Sequence, residues 1–194
     1  MTTPESRLYE FVFRGNLAEE ALDAAGRRNR RLAEFESADL ARVLSLDLLD
    51  DSHVANAQAM ANVYVAIASF ENSVRDLIVS VLSEQVGANW WEVCVSEKIR
   101  TRAQQKIEEE DKIRWHVQRG ASPINYTLMS DLVSILRQNW VHFEPHIPTI
   151  EWASGLMDVI ERSRNVIMLS GMLTRTDIER VGIYIRDWIK QVGA

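Results

Sequence analysis

Residues 53–86 constrain the fold of this chain more than any other stretch. Met60, Val63, Tyr64, Ile67, Phe70, Val74, Leu77, Ile78 and Val81 fall there on one unbroken apolar stripe. They recur at the i, i+3, i+4, i+7 spacing of a single buried helix face. Asp50-Asp51-Ser52 supplies an N-cap and Gly87 a stop, so the pattern reads as one long helix. Its apolar face needs other elements to cover it.

Those elements also read as helices. Residues 5–14 and 16–36 form two, separated by Gly15-Asn16, and the second is highly charged. Residues 38–49 read as a short apolar helix. Trp90 and Trp91 open the next segment, and a charged helix is expected from Ser96 to about Val117, with Glu108 to Asp111 as a solvated turn. Arg119-Gly120-Ala121-Ser122-Pro123 reads as a loop. A helix over about 127–140 points Leu128, Leu132, Ile135 and Leu136 inward, and Pro145 and Pro148 make 143–149 a loop. Another helix over about 150–169 stops at Ser170-Gly171. Thr174 with Asp177 makes an acidic capping box for a last helix to about Val192, with Ile178, Val181, Ile185, Trp188 and Ile189 inward. No strand pattern and no repeat appears. The expected fold is an all-α bundle, with residues 1–50 as an N-terminal helical arm and residues 51–194 as the main domain.

Composition narrows the function classes. No run approaches the roughly 18 apolar residues of a membrane span, and Met1-Thr2-Thr3-Pro4-Glu5 lacks the features of a secretory signal. The single cysteine, Cys94, excludes an intrachain disulfide framework and fits a reducing cytoplasm. Its apolar setting reads as core packing. A formal charge of −6 argues against non-specific coating of nucleic acid. It leaves room for a local basic cleft. Basic residues cluster at Arg27, Arg28, Arg30 and Arg31, and again at Lys98, Arg100, Arg102 and Lys106. Each cluster reads either as a solvated helix face or as the lining of an RNA path or acidic partner surface.

The helix over 150–169 contains an anomaly. Leu156, Val159, Ile160, Val166 and Ile167 form its apolar stripe, and Asp158, Glu161, Arg162 and Asn165 collect opposite. Leu169 falls in line with Arg162 and Asn165, among the polar residues. Arg164 sits at the edge of the apolar stripe, where a guanidinium must find a partner. Glu71, on the long helix, is the candidate partner; the competing pairing is a local one between Glu71 and Arg75, at i and i+4.

With histidine at 169 the segment would read Arg-Asn-x-x-x-His, and the chain resembles the HEPN superfamily, many of whose members are metal-independent endoribonucleases. The surrounding segments carry the resemblance further. Phe70-Glu71-Asn72-Ser73-Val74-Arg75, Asn89-Trp90-Trp91, Arg114-Trp115-His116, Asn139-Trp140-Val141-His142-Phe143 and Arg186-Asp187-Trp188 look like the HEPN branch found beside PIN-type nucleases in RNA surveillance and as stand-alone bacterial proteins. The likeness covers roughly residues 51–194, and Tyr9-Glu10-Phe11-Val12-Phe13-Arg14-Gly15 is similar to the leader of the stand-alone form. The departure is Leu169 in place of the motif histidine.

By this resemblance Arg164 holds a phosphate, Asn165 positions groups by hydrogen bonding, and position 169 transfers the proton, with Glu71, Arg162 and Arg75 in support. RNA supplies its own nucleophile, the 2′-hydroxyl, so the implied reaction needs no metal and no cofactor. Its products are a 2′,3′-cyclic phosphate and a 5′-hydroxyl. A C2 homodimer that juxtaposes two motifs is implied, as is a toxin or antiviral role with an antitoxin or regulatory protein as a further partner. Leucine cannot transfer a proton, and losing a general acid–base costs about 10²–10⁴-fold in rate. The chain as written is therefore expected to be close to inactive. Either the leucine replaces a histidine so that a host tolerates the protein, or the chain is a natural nuclease-dead member that binds RNA, a nucleotide or a protein.

Weaker candidates remain. Arg114, His116 and Arg119 are candidate RNA contacts, with a structural histidine beside a packed tryptophan as the competing reading. His142 and His146 bracket Pro145 without a ligand set at metal spacing, so no metal site is expected. The six tryptophans can stack on bases in principle; at helical spacing they read as core.

Overall fold

A computed structural model describes residue 21 and residues 37–193. The helices expected over 5–14 and 16–36, the leader at 9–15 and the arginines at 27–31 lie outside the described residues. All regular structure among the described residues is helical: eight α-helices and two 3-10 turns. They are α1 (Ser37–Val43), α2 (Asp51–Val86), α3 (Trp90–Cys94), α4 (Glu97–Asp111), α5 (Met129–Gln138), α6 (Trp140–Phe143), α7 (Ile150–Met168) and α8 (Arg175–Val192). The 3-10 turns are Leu46–Leu48 and Pro123–Tyr126. No helix among the described residues is long and apolar enough to cross a membrane.

The chain divides into two units between Val54 and Ala55. In the first, the helix expected over 38–49 is broken. Ser45 adopts a left-handed backbone (φ 52), which an α-helix cannot accommodate, so α1 ends at Val43 and a separate 3-10 turn follows. Leu40, Val43, Leu44, Leu48 and Leu49 are exposed. Asp50 caps α2, accepting from the backbone N–H of Ser52 at 2.9 Å and of His53 at 3.3 Å.

The second unit is built on the α2 stripe. Met60, Val63, Ile67, Phe70, Val74, Ile78, Val81 and Leu82 are buried, Leu77 is half-buried, and Tyr64 points outward instead of inward. Gly87 ends the helix at φ 96, a conformation that residues with a Cβ rarely adopt. Helix α5 packs on α7, and α7 on α8. Leu132, Ile135 and Leu136 of α5 meet Ala153, Leu156, Met157 and Ile160 of α7 in the common core, all buried. Trp188 of α8 closes it, edge-on to Phe70 at 5.5 Å and stacked on Trp152 at 6.1 Å. Leu128 is not an inward helical residue; it precedes α5 and is exposed. Ile189 is exposed as well, because Trp188 takes the inward position.

Helix α4 ends at Asp111, six residues before the expected limit. Glu108, Glu109, Glu110 and Asp111 fill its last turn, where the negative end of the helix dipole opposes acidic charge. Ile113, Trp115 and Val117 are left exposed in the segment that follows.

Candidate functional site

Helix α7 begins at Thr149, whose hydroxyl accepts from the backbone N–H of Trp152 at 3.1 Å. With its apolar face fixed against α5 and α8, the positions of Ser163, Arg164 and Asn165 follow from helical geometry. Ser163 is buried, its hydroxyl donating to the Val159 carbonyl at 3.0 Å. Arg164 comes next at the boundary between core and solvent, with 30% of its side chain exposed. Asn165 lies outside.

Arg164 finds the expected partner. Its Nε lies 3.5 Å from Oε2 of Glu71. The same carboxylate also makes the competing pair: its Oε1 accepts from Arg75 Nη2 at 2.7 Å. Glu71 is thus a buried anion, only 9% of its side chain exposed, held between two arginines. Arg75, at 13%, spends its remaining donors on its surroundings. Nε donates to the Ile124 carbonyl at 3.3 Å, Nη1 to Asn72 Oδ1 at 3.0 Å, and Nη2 also to the Thr127 carbonyl at 3.3 Å. This satisfied network is what makes a buried carboxylate tolerable here. A second ion pair joins the first turn of α5 to α4: Arg102 Nη2 donates to Asp131 Oδ1 at 2.7 Å. Asp131 Oδ2 accepts the backbone N–H of Leu128 at 3.0 Å and steadies the start of α5.

The expected proton-transfer position lies at the end of α7. Leu169 is the C-cap, 84% exposed. Its N–H donates to the Asn165 carbonyl at 3.2 Å, so it stands one turn beyond Asn165 on the same edge. Ser170 then takes the left-handed conformation (φ 62), and Gly171 donates to the Val166 carbonyl at 2.8 Å, with Ser170 donating to Ile167 at 3.0 Å. This is a Schellman closure. A Cβ on Gly171 would sit 2.8 Å from that carbonyl oxygen. Arg162 is exposed.

Leu169 is accompanied by Met168 and Met172, which the sequence reading did not single out. Met168 and Met172 are exposed, and Val166, expected inward, is exposed too, because the last turn of α7 runs beyond the core. Leu173 donates its N–H to the Met60 sulfur at 3.4 Å, which brings the α7–α8 connection against α2. Met172 carried no periodic signal because it lies between helices.

Arg114, His116 and Arg119 lie elsewhere in sequence, in the segment after α4, and no hydrogen bond or ion pair among the described residues joins them to Arg164 or Asn165. Arg119 is engaged by Glu110 and lies over the Tyr126 ring at 5.7 Å. His116 is exposed, and its neighbour Trp115 is 86% exposed, not the packed tryptophan of the competing reading. His142 is half-buried and His146 exposed. Among the described residues no three His, Cys, Asp or Glu side chains are grouped to hold a metal ion.

Burial displaces the pKa values of Glu161, Lys106 and Cys94. Burial raises the Glu161 carboxyl from its ordinary value, and the Asp158 charge adds to this while Arg164 opposes it. Burial lowers the Lys106 ammonium, and the positive charges of Arg119 and Arg102 push the same way. Burial also raises the Cys94 thiol, consistent with a half-buried packing role.

Compared with known proteins, the chain matches no family model, no curated protein and no solved structure.

Proposed function

We propose that this chain is an endoribonuclease of the HEPN type, cleaving RNA without metal to 2′,3′-cyclic phosphate and 5′-hydroxyl ends, with its proton-transfer position filled by Leu169. The observation that carries the reading is the arrangement along α7. A guanidinium is held at the solvent boundary by a buried carboxylate, an exposed amide follows it, and a nearly fully exposed leucine stands one turn on. Leu169 contributes no packing that its position requires. A helix C-terminus also favours a protonated imidazole, the state from which a general acid acts. RNA, a second copy of the chain across the α7 end, and an antitoxin or regulatory protein are the proposed partners.

The test is Leu169→His. Because the side chain is exposed, the exchange should change stability by no more than about 0.5 kcal/mol. The altered protein should cut RNA in chelator, and Arg164→Ala added to it should abolish the cut. A folded protein that leaves RNA intact counts against the enzyme.

A second reading is supported by the exposure of four apolar residues at the end of α7, Val166, Met168, Leu169 and Met172. A nuclease-dead domain that docks a protein through this surface has no need of histidine. For that reading Leu169→His changes nothing catalytic, while Leu169→Asp abolishes partner capture.

A further inference from the structure

The two arginines around Glu71 do not share it equally. Arg75 takes the short contact, 2.7 Å, and Arg164 the long one, 3.5 Å, beyond ordinary hydrogen-bond length. Arg75 is also the deeper of the two and is tied to Ile124, Thr127 and Asn72, so it has no freedom to leave the carboxylate. One carboxylate facing two guanidinium groups leaves one positive charge uncompensated within the triad. The asymmetry of distance and burial places that charge on Arg164, the member that reaches solvent. The other carboxyl acting on Arg164, Glu161, is disfavoured in its charged form by partial burial and by Asp158.

We propose that Arg75 is a positioning residue that sets the charge and aim of Arg164: by holding the near oxygen of Glu71 it keeps Arg164 only partly neutralised and open to an external phosphate group. Arg75 does not touch the phosphate. It acts through Glu71, and the turn at Pro123–Tyr126, whose neighbouring carbonyls it binds, becomes part of the site's support. Without Arg75 the carboxylate would be free to rotate onto Arg164 and neutralise it. The inference rests on the reading of Arg164 as the phosphate-holding group.

The experiment uses the full chain with Leu169 in place and inorganic phosphate as the probe. The Arg164 side-chain Nε–H resonance, assigned by its loss in Arg164→Lys, is followed through a phosphate titration. Phosphate should shift it in the unaltered chain. Arg75→Gln should raise the apparent Kd at Arg164 several-fold, and Arg75→Lys, which keeps a cation on the carboxylate, should restore most of the affinity. Glu71→Gln approaches the same point from the other side and does not depend on Arg75→Gln folding: removing the counter-charge should tighten phosphate several-fold. An Arg164 signal indifferent to phosphate, or, in cooperatively melting proteins, an affinity unchanged by Arg75→Gln or weakened by Glu71→Gln, overturns the proposal. RNA cleavage by Leu169→His tests the nuclease reading separately. A silent RNA assay beside an intact phosphate response removes the enzyme and leaves the triad standing.

Discussion

At the scale of single residues, the molecule concentrates its unusual chemistry in two places. The first is Glu71. A carboxylate at this depth persists because two guanidinium groups and their carbonyl partners surround it. Removing it leaves Arg75 buried without a counter-charge, so Glu71→Ala should lower unfolding free energy by about 3–5 kcal/mol in denaturant titrations; a loss below about 1 kcal/mol would show that the pair is solvated. The second is the closure of α7. Ser170 sits in a left-handed conformation that favours glycine, and Ser170→Gly should therefore stabilise the protein by up to about 1 kcal/mol. Gly171→Ala should do the reverse, since its methyl meets the Val166 carbonyl. The arginine and the leucine were visible in the sequence because each broke the helical pattern around it. The double pairing of Glu71 was not, because helical periodicity places Arg75 one turn from Glu71 but says nothing of Arg164, which reaches it from another helix.

At the scale of elements, the apolar stripes were legible wherever a helix is buried on one side. The inward residues of α2, α5 and α7 follow the three-and-four spacing, and the acidic capping box at Thr174 and Asp177 forms as its residue types require. Helix ends that depend on backbone conformation or charge were less legible. Ser45 splits the segment after α1 through a positive φ that serine does not advertise, and the acids closing α4 act through the dipole, a cumulative effect of the whole helix. The cap on α8 gives a pH-dependent prediction. Hydrogen bonds from Thr174 hold the Asp177 carboxyl below its ordinary value of 3.8. A depressed carboxyl contributes stability above the unfolded value and loses it as pH falls through the folded one. The melting-temperature deficit of Asp177→Asn should thus be largest near neutrality and shrink below pH 3.8. Glu161 has the opposite sign: its raised value makes the charged form unfavourable, so Glu161→Gln should stabilise at neutral pH and lose that advantage in acid.

At the scale of the whole molecule, a helical unit presents a charged cluster and an exposed apolar end on one helix, α7. The proposed homodimer would close over the end of α7, where Val166, Met168, Leu169 and Met172 are exposed, and would bring two copies of Arg164 and Asn165 to one groove. Met168→Asp with Met172→Asp should convert a dimer to a monomer in light scattering, and a dimer that survives both changes would move the interface elsewhere. The proposed nuclease depends most directly on position 169. The deciding measurement is end-mapping of RNA incubated with the Leu169→His protein in the presence of chelator. The account predicts new 2′,3′-cyclic phosphate and 5′-hydroxyl ends that vanish when Arg164→Ala is added; intact RNA from a folded, dimeric Leu169→His protein would contradict it.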